Sequence, residues 1–298
     1  MIVGQEQLLD ELMLVVLCEG HALIEGVPGV AKTLAAKALA RILHLTFQRV
    51  QCTPDLMPAD ILGANVYNMS TAEFVQHRGP IFTDLLLVDE INRMPPRTQA
   101  ALLEAMEERQ VTMDGTRHAL SRNFAVLATQ NPVEFEGTYP LPEAQLDRFL
   151  MKIKVEYPTA EQETQILNAY QQGFDARDLD AVGLIPMAPE TLAAARDEVR
   201  NVKVEPSLFK YITSLARRTR DWPAIALGAS PRAAIALMWV AKGVAAIDDR
   251  DYVIPDDVKK AAGAVMRHRI VLRPEADLEG LTADQAIHDV IAAVELPK

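Results

Sequence analysis

Polar residues scattered between Lys32 and Arg232 have the types and settings needed to hold a nucleoside triphosphate and split it. Lys32 and Thr33 close a glycine-containing loop that breaks from the apolar run Leu23-Ile24-Glu25. A triphosphate is a dense cluster of negative charge. Holding it takes inward-facing backbone N–H groups, a cation and a hydroxyl for the metal. The stretch Gly26-Val27-Pro28-Gly29-Val30-Ala31-Lys32-Thr33-Leu34 offers all three. Gly26 and Gly29 would let the backbone approach the phosphates, and a helix opening near Ala31 would present unpaired N–H groups at its positive end. Lys32 would reach the β and γ phosphates, and Thr33 would ligate Mg2+. In the pattern G-x-x-x-x-G-K-[ST], Ala31 stands where the second glycine belongs. A methyl group there is tolerable if the residue has helical dihedrals. The plainer reading of the segment is an ordinary strand-turn-helix whose lysine buries its stem.

A phosphate loop alone does not distinguish a hydrolase from a kinase or a binding protein. Leu85-Leu86-Leu87-Val88-Asp89-Glu90 makes that distinction, because two carboxylates emerge where an apolar strand ends, the place where ligands bind in open parallel sheets. Asp89 can hold the Mg2+ shell, and Glu90 can orient and deprotonate a water. Val126-Leu127-Ala128-Thr129-Gln130-Asn131 repeats the arrangement with amides. If that strand lies beside the phosphate-loop strand, Asn131 can bond the water or the γ-phosphate; Asn131-Pro132 also reads as a turn starter. Arg148 follows a short helical stretch, and Arg232 follows a capping serine and a first-turn proline. Either arginine taken alone is more simply a solvated or salt-bridged side chain.

The elements that would position these groups alternate. Strands are expected at His21–Glu25, Phe47–Cys52, Leu85–Asp89, Phe124–Thr129 and Phe149–Val155. Helices are expected at Gln5–Leu17, Thr33–Leu43, Pro96–Arg109 and Glu143–Asp147, the pattern of a parallel sheet covered on both faces. Val66–Phe82 and Val111–Leu120, the latter with Asp114-Gly115 at its turn, read as hairpin-like excursions that project from the body. After Tyr157-Pro158 the chain turns alanine-rich and helical, which places an α/β nucleotide-binding core at residues 1–158 and an all-α domain at 159–298.

With 298 residues the chain has room for both, and a formal charge of −11 argues against broad attachment to nucleic acid or anionic lipid. Cys18 and Cys52 give neither a disulfide framework nor a metal-ligand spacing. No secretory signal or membrane-length apolar run is evident, so a soluble, cytoplasmic protein is expected. Trp222 and Trp239 are expected to fill the helical core.

The sequence resembles the MoxR-type AAA+ ATPases from Ile2 almost to the C-terminus. Its most specific segments are Gly79-Pro80-Ile81-Phe82, Val88-Asp89-Glu90-Ile91-Asn92-Arg93 with Pro95-Pro96, and Ala101-Leu102-Leu103-Glu104-Ala105-Met106-Glu107-Glu108. To these are added Ala128-Thr129-Gln130-Asn131-Pro132 and the run from Glu136 to Phe149. The resemblance implies an AAA+ P-loop NTPase core with a five-stranded parallel sheet, followed by an all-α lid domain. It assigns Lys32 and Thr33 to Walker A, Asp89 and Glu90 to Walker B, and Asn131 to sensor 1. Arg148 would be the arginine finger and Arg232 the sensor 2 arginine, while Val3-Gly4-Gln5 would lie near the adenine. It further implies ATP and Mg2+ as cofactors, a homo-oligomeric ring, most often a hexamer, and chaperone-like remodelling of client proteins, often ones with von Willebrand factor A domains.

The chain departs from its relatives in starting at Ile2-Val3-Gly4-Gln5, where they usually carry a preceding helical segment. Two rivals remain at this point: a nucleotide-gated binding module with negligible turnover, and a DNA-acting AAA+ motor using His77, Arg78, Arg117, His118 and Arg122. A GTPase is disfavoured by the lack of an Asn-Lys-x-Asp sequence.

Overall fold

Apolar strands alternate with amphipathic helices along the first part of the chain, as the sequence patterning requires. The structure, a computed structural model, describes residues 2–131, 137–176, 178–179 and 182–297. Helix α1 (Glu6–Leu17) leads into β1 (Ala22–Gly26), α2 (Lys32–Ile42) and β2 (Phe47–Gln51). A short α3 (Pro58–Leu62) precedes the hairpin β3 (Gly63–Asn68) and β4 (Glu73–Arg78). Then come β5 (Leu85–Asp89), a single 3-10 turn at Ile91–Arg93, α4 (Pro96–Glu108), the hairpin β6 (Gln110–Met113) and β7 (Thr116–Ala119), and β8 (Ala125–Gln130). Helix α5 (Glu143–Leu146), β9 (Met151–Val155) and α6 (Ala160–Gln171) follow. The rest is helical: α7 (Pro189–Asn201), α8 (Pro206–Arg220), α9 (Pro231–Ile247), α10 (Pro255–Met266), α11 (Pro274–Leu278) and α12 (Ala283–Ala293), with short strands β10 (Ile225–Leu227) and β11 (Val271–Leu272).

The five expected strands form one sheet in the order β2-β5-β8-β1-β9. The pairs β2–β5, β5–β8 and β8–β1 run parallel, so their C-terminal ends share one edge. Every residue of β5 is buried, which matches its unbroken apolar run. Both excursions are hairpins. At the turn of β6–β7, Asp114 and Gly115 have φ of 47° and 79°, the pair of positive values that a type I′ turn demands. Only the first hairpin projects: Met69 is 90% and Phe74 73% exposed, whereas Val111 and Met113 of β6 are buried. The second hairpin thus lays one face on the core, because its alternation places Val111 and Met113 on the same side of the strand.

The chain packs as two units, Met1–Leu141 with Ile153–Pro189, and Pro142–Lys152 with Glu190–Lys298. The compositional change at Thr159 therefore falls inside the first unit, where the Met187 N–H donates to the Ile42 carbonyl at the end of α2 (2.7 Å). In the second unit, Leu237, Val240, Val258 and Val265 form part of a buried interior of α9 and α10. Trp222 and Trp239 are not in that core; both are half-buried beneath cations, with Arg218 5.3 Å and Lys242 4.7 Å from the respective ring centres. No helix among the described residues is long and apolar enough to cross a membrane.

Two buried histidines give the fold a pH signature. His21 accepts the Val126 N–H on Nδ1 (2.9 Å) and donates from Nε2 to the Met106 carbonyl (3.2 Å), so it is a neutral imidazole of defined tautomer. Burial, with Arg109 adding to it, pulls its pKa from 6.5 down to about 4. His268 is depressed in the same direction, chiefly by burial. The unfolded chain protonates both below its ordinary histidine pKa while the native chain does not, so stability is lost as pH falls from roughly 6.5 towards 4. Unfolding near pH 5.5 is expected to take up about two protons, or ~1.4 kcal/mol per pH unit for each, read from denaturant midpoints between pH 7 and 5.5. A stability flat across that interval would contradict this account.

Candidate nucleotide site

The phosphate loop hangs between β1 and α2. Gly26 is required by a neighbour: a Cβ there would lie 2.6 Å from the Val155 carbonyl oxygen of β9. Gly29 has φ of 84°, with open space where its side chain would be, and the loop is anchored by buried Val30. Ala31 is not helical. Its φ of 61° and ψ of 19° are left-handed, and it caps a helix whose first residue is Lys32. The expected tolerance of a methyl group there thus fails on geometry, since a non-glycine residue in this region costs about 1–2 kcal/mol. Ala31→Gly should relieve that strain against about 0.4–1 kcal/mol of added unfolded-state entropy, a net stabilisation of roughly 0.5–1 kcal/mol. The denaturation midpoint should rise for Ala31→Gly and fall for Ala31→Val.

The Lys32 ammonium donates to the carbonyls of Gly26 (2.5 Å) and Val27 (3.2 Å), folding back over its own loop. Partial burial lowers its pKa, while the nearby Asp89 and Glu90 charges oppose that shift. Those carboxylates stand at the end of β5, two strands from β1 in the sheet. Thr33 and Leu34 are half-buried in the first turn of α2.

Asp89 is buried, and each of its oxygens has a partner. Arg49 Nε donates to Oδ2 (2.6 Å) and the Thr129 hydroxyl to Oδ1 (3.1 Å). Thr129 also accepts the backbone N–H of Glu90 (2.9 Å), which locks the two carboxylate residues to β8. Glu90 itself is left-handed at φ 60°, the kind of local strain that clusters at functional sites. Its Oε2 accepts from Gln51 (3.0 Å) and from Arg93 (3.2 Å). Arg49, Gln51 and Thr129 were absent from the sequence-based set. No local signal marked them: Gln51 meets Asp89 only in the β2–β5 register, which brings polar residues at the end of that edge strand to the carboxylates. Cys52, next in the chain, is inert, its thiol pushed up to about 12 by burial first and then by the Asp89 and Glu90 charges.

Strand β8 does lie beside β1. Gln130 pairs with Glu25, so buried Asn131 follows at the level of Gly26, and Lys32, Asp89, Glu90 and Asn131 belong to three adjacent strand ends. Pro132 and Glu136 lie outside the described residues. Beyond that point, the Tyr139 carbonyl is held by buried Gln99 (3.0 Å), which also bonds the Ile91 carbonyl (3.1 Å).

On the other side of the loop, a cavity is lined by Val3, Gln5, Val30, Ala31 and Leu34, and by Tyr170 and Phe174 in and after α6. The two rings pack edge to face at 5.4 Å. Gln5 is buried, its amide donating to the Glu156 carbonyl (3.3 Å), whereas Gly4 is exposed. The cavity offers apolar walls and an aromatic pair, suited to a flat heterocycle. Tyr170 and Phe174 escaped sequence reasoning because α6 buries no residue completely and so shows no core pattern.

The donor set fits a triphosphate with its cation: an ammonium, a loop with left-handed turns, a hydroxyl and one buried carboxylate. Arg148 and Arg232 sit in the second unit. Arg148 is half-buried between α5 and β9, and Arg232 is exposed on the first turn of α9, whose cap is Ser230.

Comparison with known proteins identifies two matching family models. The model of the ATPase family associated with various cellular activities matches residues 21–151, and that of the AAA lid domain matches residues 217–290. Chaperone MoxR1 of Mycobacterium tuberculosis is 41% identical across 100% of this chain and 80% of its own length. Protein YeaC of Bacillus subtilis, itself uncharacterized, is 44% identical across 99% of this chain and 91% of its own length. A crystal structure from Cytophaga hutchinsonii, provisionally described as an ATPase, superposes with a TM-score of 0.90 at 41% identity, covering 100% of this chain and 92% of that one.

Proposed function

The chain belongs to the MoxR family of AAA+ ATPases, and on that footing we propose that it hydrolyses ATP in a homo-oligomeric ring to remodel or mature client proteins. The observation that carries the catalytic part is the convergence of Lys32, Asp89, Glu90 and Asn131 at three adjacent strand ends. Residues 1–158 supply the nucleotide chemistry, and the helices of 159–298 act as a lid.

In this reading Val3, Gly4 and Gln5 border the base beside Tyr170 and Phe174. The backbone from Gly26 to Ala31 and the N–H groups of α2 hold the phosphates, and Lys32 leaves its own carbonyls for the β and γ oxygens. Thr33 and Asp89 hold Mg2+, which neutralises charge developing on the phosphates. Glu90 takes the proton of the attacking water, and Asn131 orients that water. Arg148 of one subunit completes the site of its neighbour, and Arg232 ties nucleotide state to the helical unit. A hexamer, clients with von Willebrand factor A domains and a cytoplasmic setting follow from the family reading.

One observation favours a second reading, a nucleotide-gated module with negligible turnover: Oε2 of Glu90 is already taken by Gln51 and Arg93. Phosphate release by the wild type beside Glu90→Gln separates the two. Turnover that vanishes in the variant supports the hydrolase, and no turnover in either supports the gated module. DNA-stimulated turnover with steep salt dependence would instead point to a nucleic-acid motor.

A further inference from the structure

Arg269 follows α10 with its side chain only 2% exposed. A guanidinium has five N–H donors, and burying it is costly unless they are satisfied. All of them are used here. Nε donates to Asp147 Oδ1 (2.7 Å), Nη1 to the carbonyls of Leu150 (3.0 Å) and Val265 (2.5 Å), and Nη2 to the carbonyls of Asp147 (3.2 Å) and Phe149 (2.6 Å).

Apart from the bond to Val265, these contacts land on Asp147, Phe149 and Leu150, which flank Arg148. His268 adds a further bond to the Phe149 carbonyl (3.0 Å), and the Phe149 ring is fully buried. The second oxygen of Asp147 accepts from Ser230 (2.9 Å), whose hydroxyl also caps α9 through the Ala233 N–H (3.3 Å). One carboxylate therefore ties the segment bearing Arg148 to the helix start bearing Arg232.

We propose that Arg269 is a positioning residue for Arg148, and that through Asp147 and Ser230 it makes Arg148 and Arg232 parts of one rigid piece. Packing alone would be served by an apolar side chain, whereas a guanidinium spanning the backbone on both sides of residue 148 fixes where that side chain starts. The arginine a subunit offers its neighbour then follows the helical unit that carries its own Arg232. This rests on the ring reading above.

Arg269→Lys keeps the charge but cannot make the forked set of bonds. Its KM for ATP should stay within about twofold while kcat falls about 10- to 100-fold, the scale of loss for a catalytic group displaced by ~1 Å. Mixing Arg269→Lys with Glu90→Gln subunits should restore turnover above the sum of the separate proteins, because the Glu90→Gln subunit still presents a correctly held Arg148 to the intact site of its neighbour. Arg148→Ala mixed with Glu90→Gln is the reference. If the reference pair is not rescued, the ring reading fails and this inference with it. If the reference is rescued but Arg269→Lys keeps full turnover or gains nothing from mixing, only the positioning role is overturned. Should Arg269→Lys not fold, Asp147→Asn leaves every backbone carbonyl in place and should show the same split between kcat and KM, with a fall of several-fold.

Discussion

Glu90→Gln stops phosphate release while ATP binding persists. General-base assistance accounts for about 10²- to 10⁴-fold in rate, so turnover should fall by that factor, with ATP affinity changed only a few-fold. The local structure explains why the variant stays folded. The backbone N–H of Glu90 is bonded to Thr129, which an amide side chain does not disturb, and a glutamine oxygen can still accept from Gln51 and Arg93. Only the ability to take a proton is lost. Lys32→Ala provides the contrast, because removing the cation should weaken binding itself. Phosphate release measured beside equilibrium nucleotide binding separates the two effects, and a Glu90→Gln protein with full turnover would remove Glu90 from the chemistry.

What could be read from the sequence follows the range of the interactions involved. The strand at Leu85–Asp89 was legible because a five-residue strand buried along its whole length needs an unbroken apolar run. The turn at Asp114-Gly115 was legible because few residues accept two positive φ values in succession. Gly26 was read only as a phosphate contact, since the carbonyl of Val155 that also excludes a side chain there is distant in sequence. Ala31 was misread for the opposite reason. Its left-handed backbone is local, but the residue that would advertise it, glycine, is missing.

The candidate site divides in the same way. Lys32, Thr33, Asp89 and Glu90 announce themselves by charge at the ends of apolar strands. Arg49, Gln51 and Thr129, which hold the carboxylates, become visible only once β2, β5 and β8 are placed side by side. Arg269 is the extreme case. In the sequence it stands in Arg267-His268-Arg269, which looks like a solvated basic run, yet its side chain is buried and fully bonded. Charge pattern reports burial poorly when the donors of a long side chain are satisfied by distant backbone.

Arg148→Ala is the variant that tests whether one subunit completes the site of another. The backbone carbonyls on either side of it are held by Arg269 and His268, bonds that removal of its guanidinium leaves in place. ATP affinity should therefore remain near that of the wild type. An arginine delivered in trans to the transferring phosphoryl group is worth about 10³–10⁵ in rate, so at saturating ATP the variant should lose at least ~10³-fold in kcat. The same dependence appears in the wild type without any mutation. As the protein is diluted below its assembly threshold, each subunit loses the neighbour that supplies Arg148, and phosphate released per subunit should drop with the assembled fraction measured in parallel by light scattering. Uniform activity across that dilution, together with an active Arg148→Ala, would mean that each subunit hydrolyses alone and that Arg148 serves only its own fold.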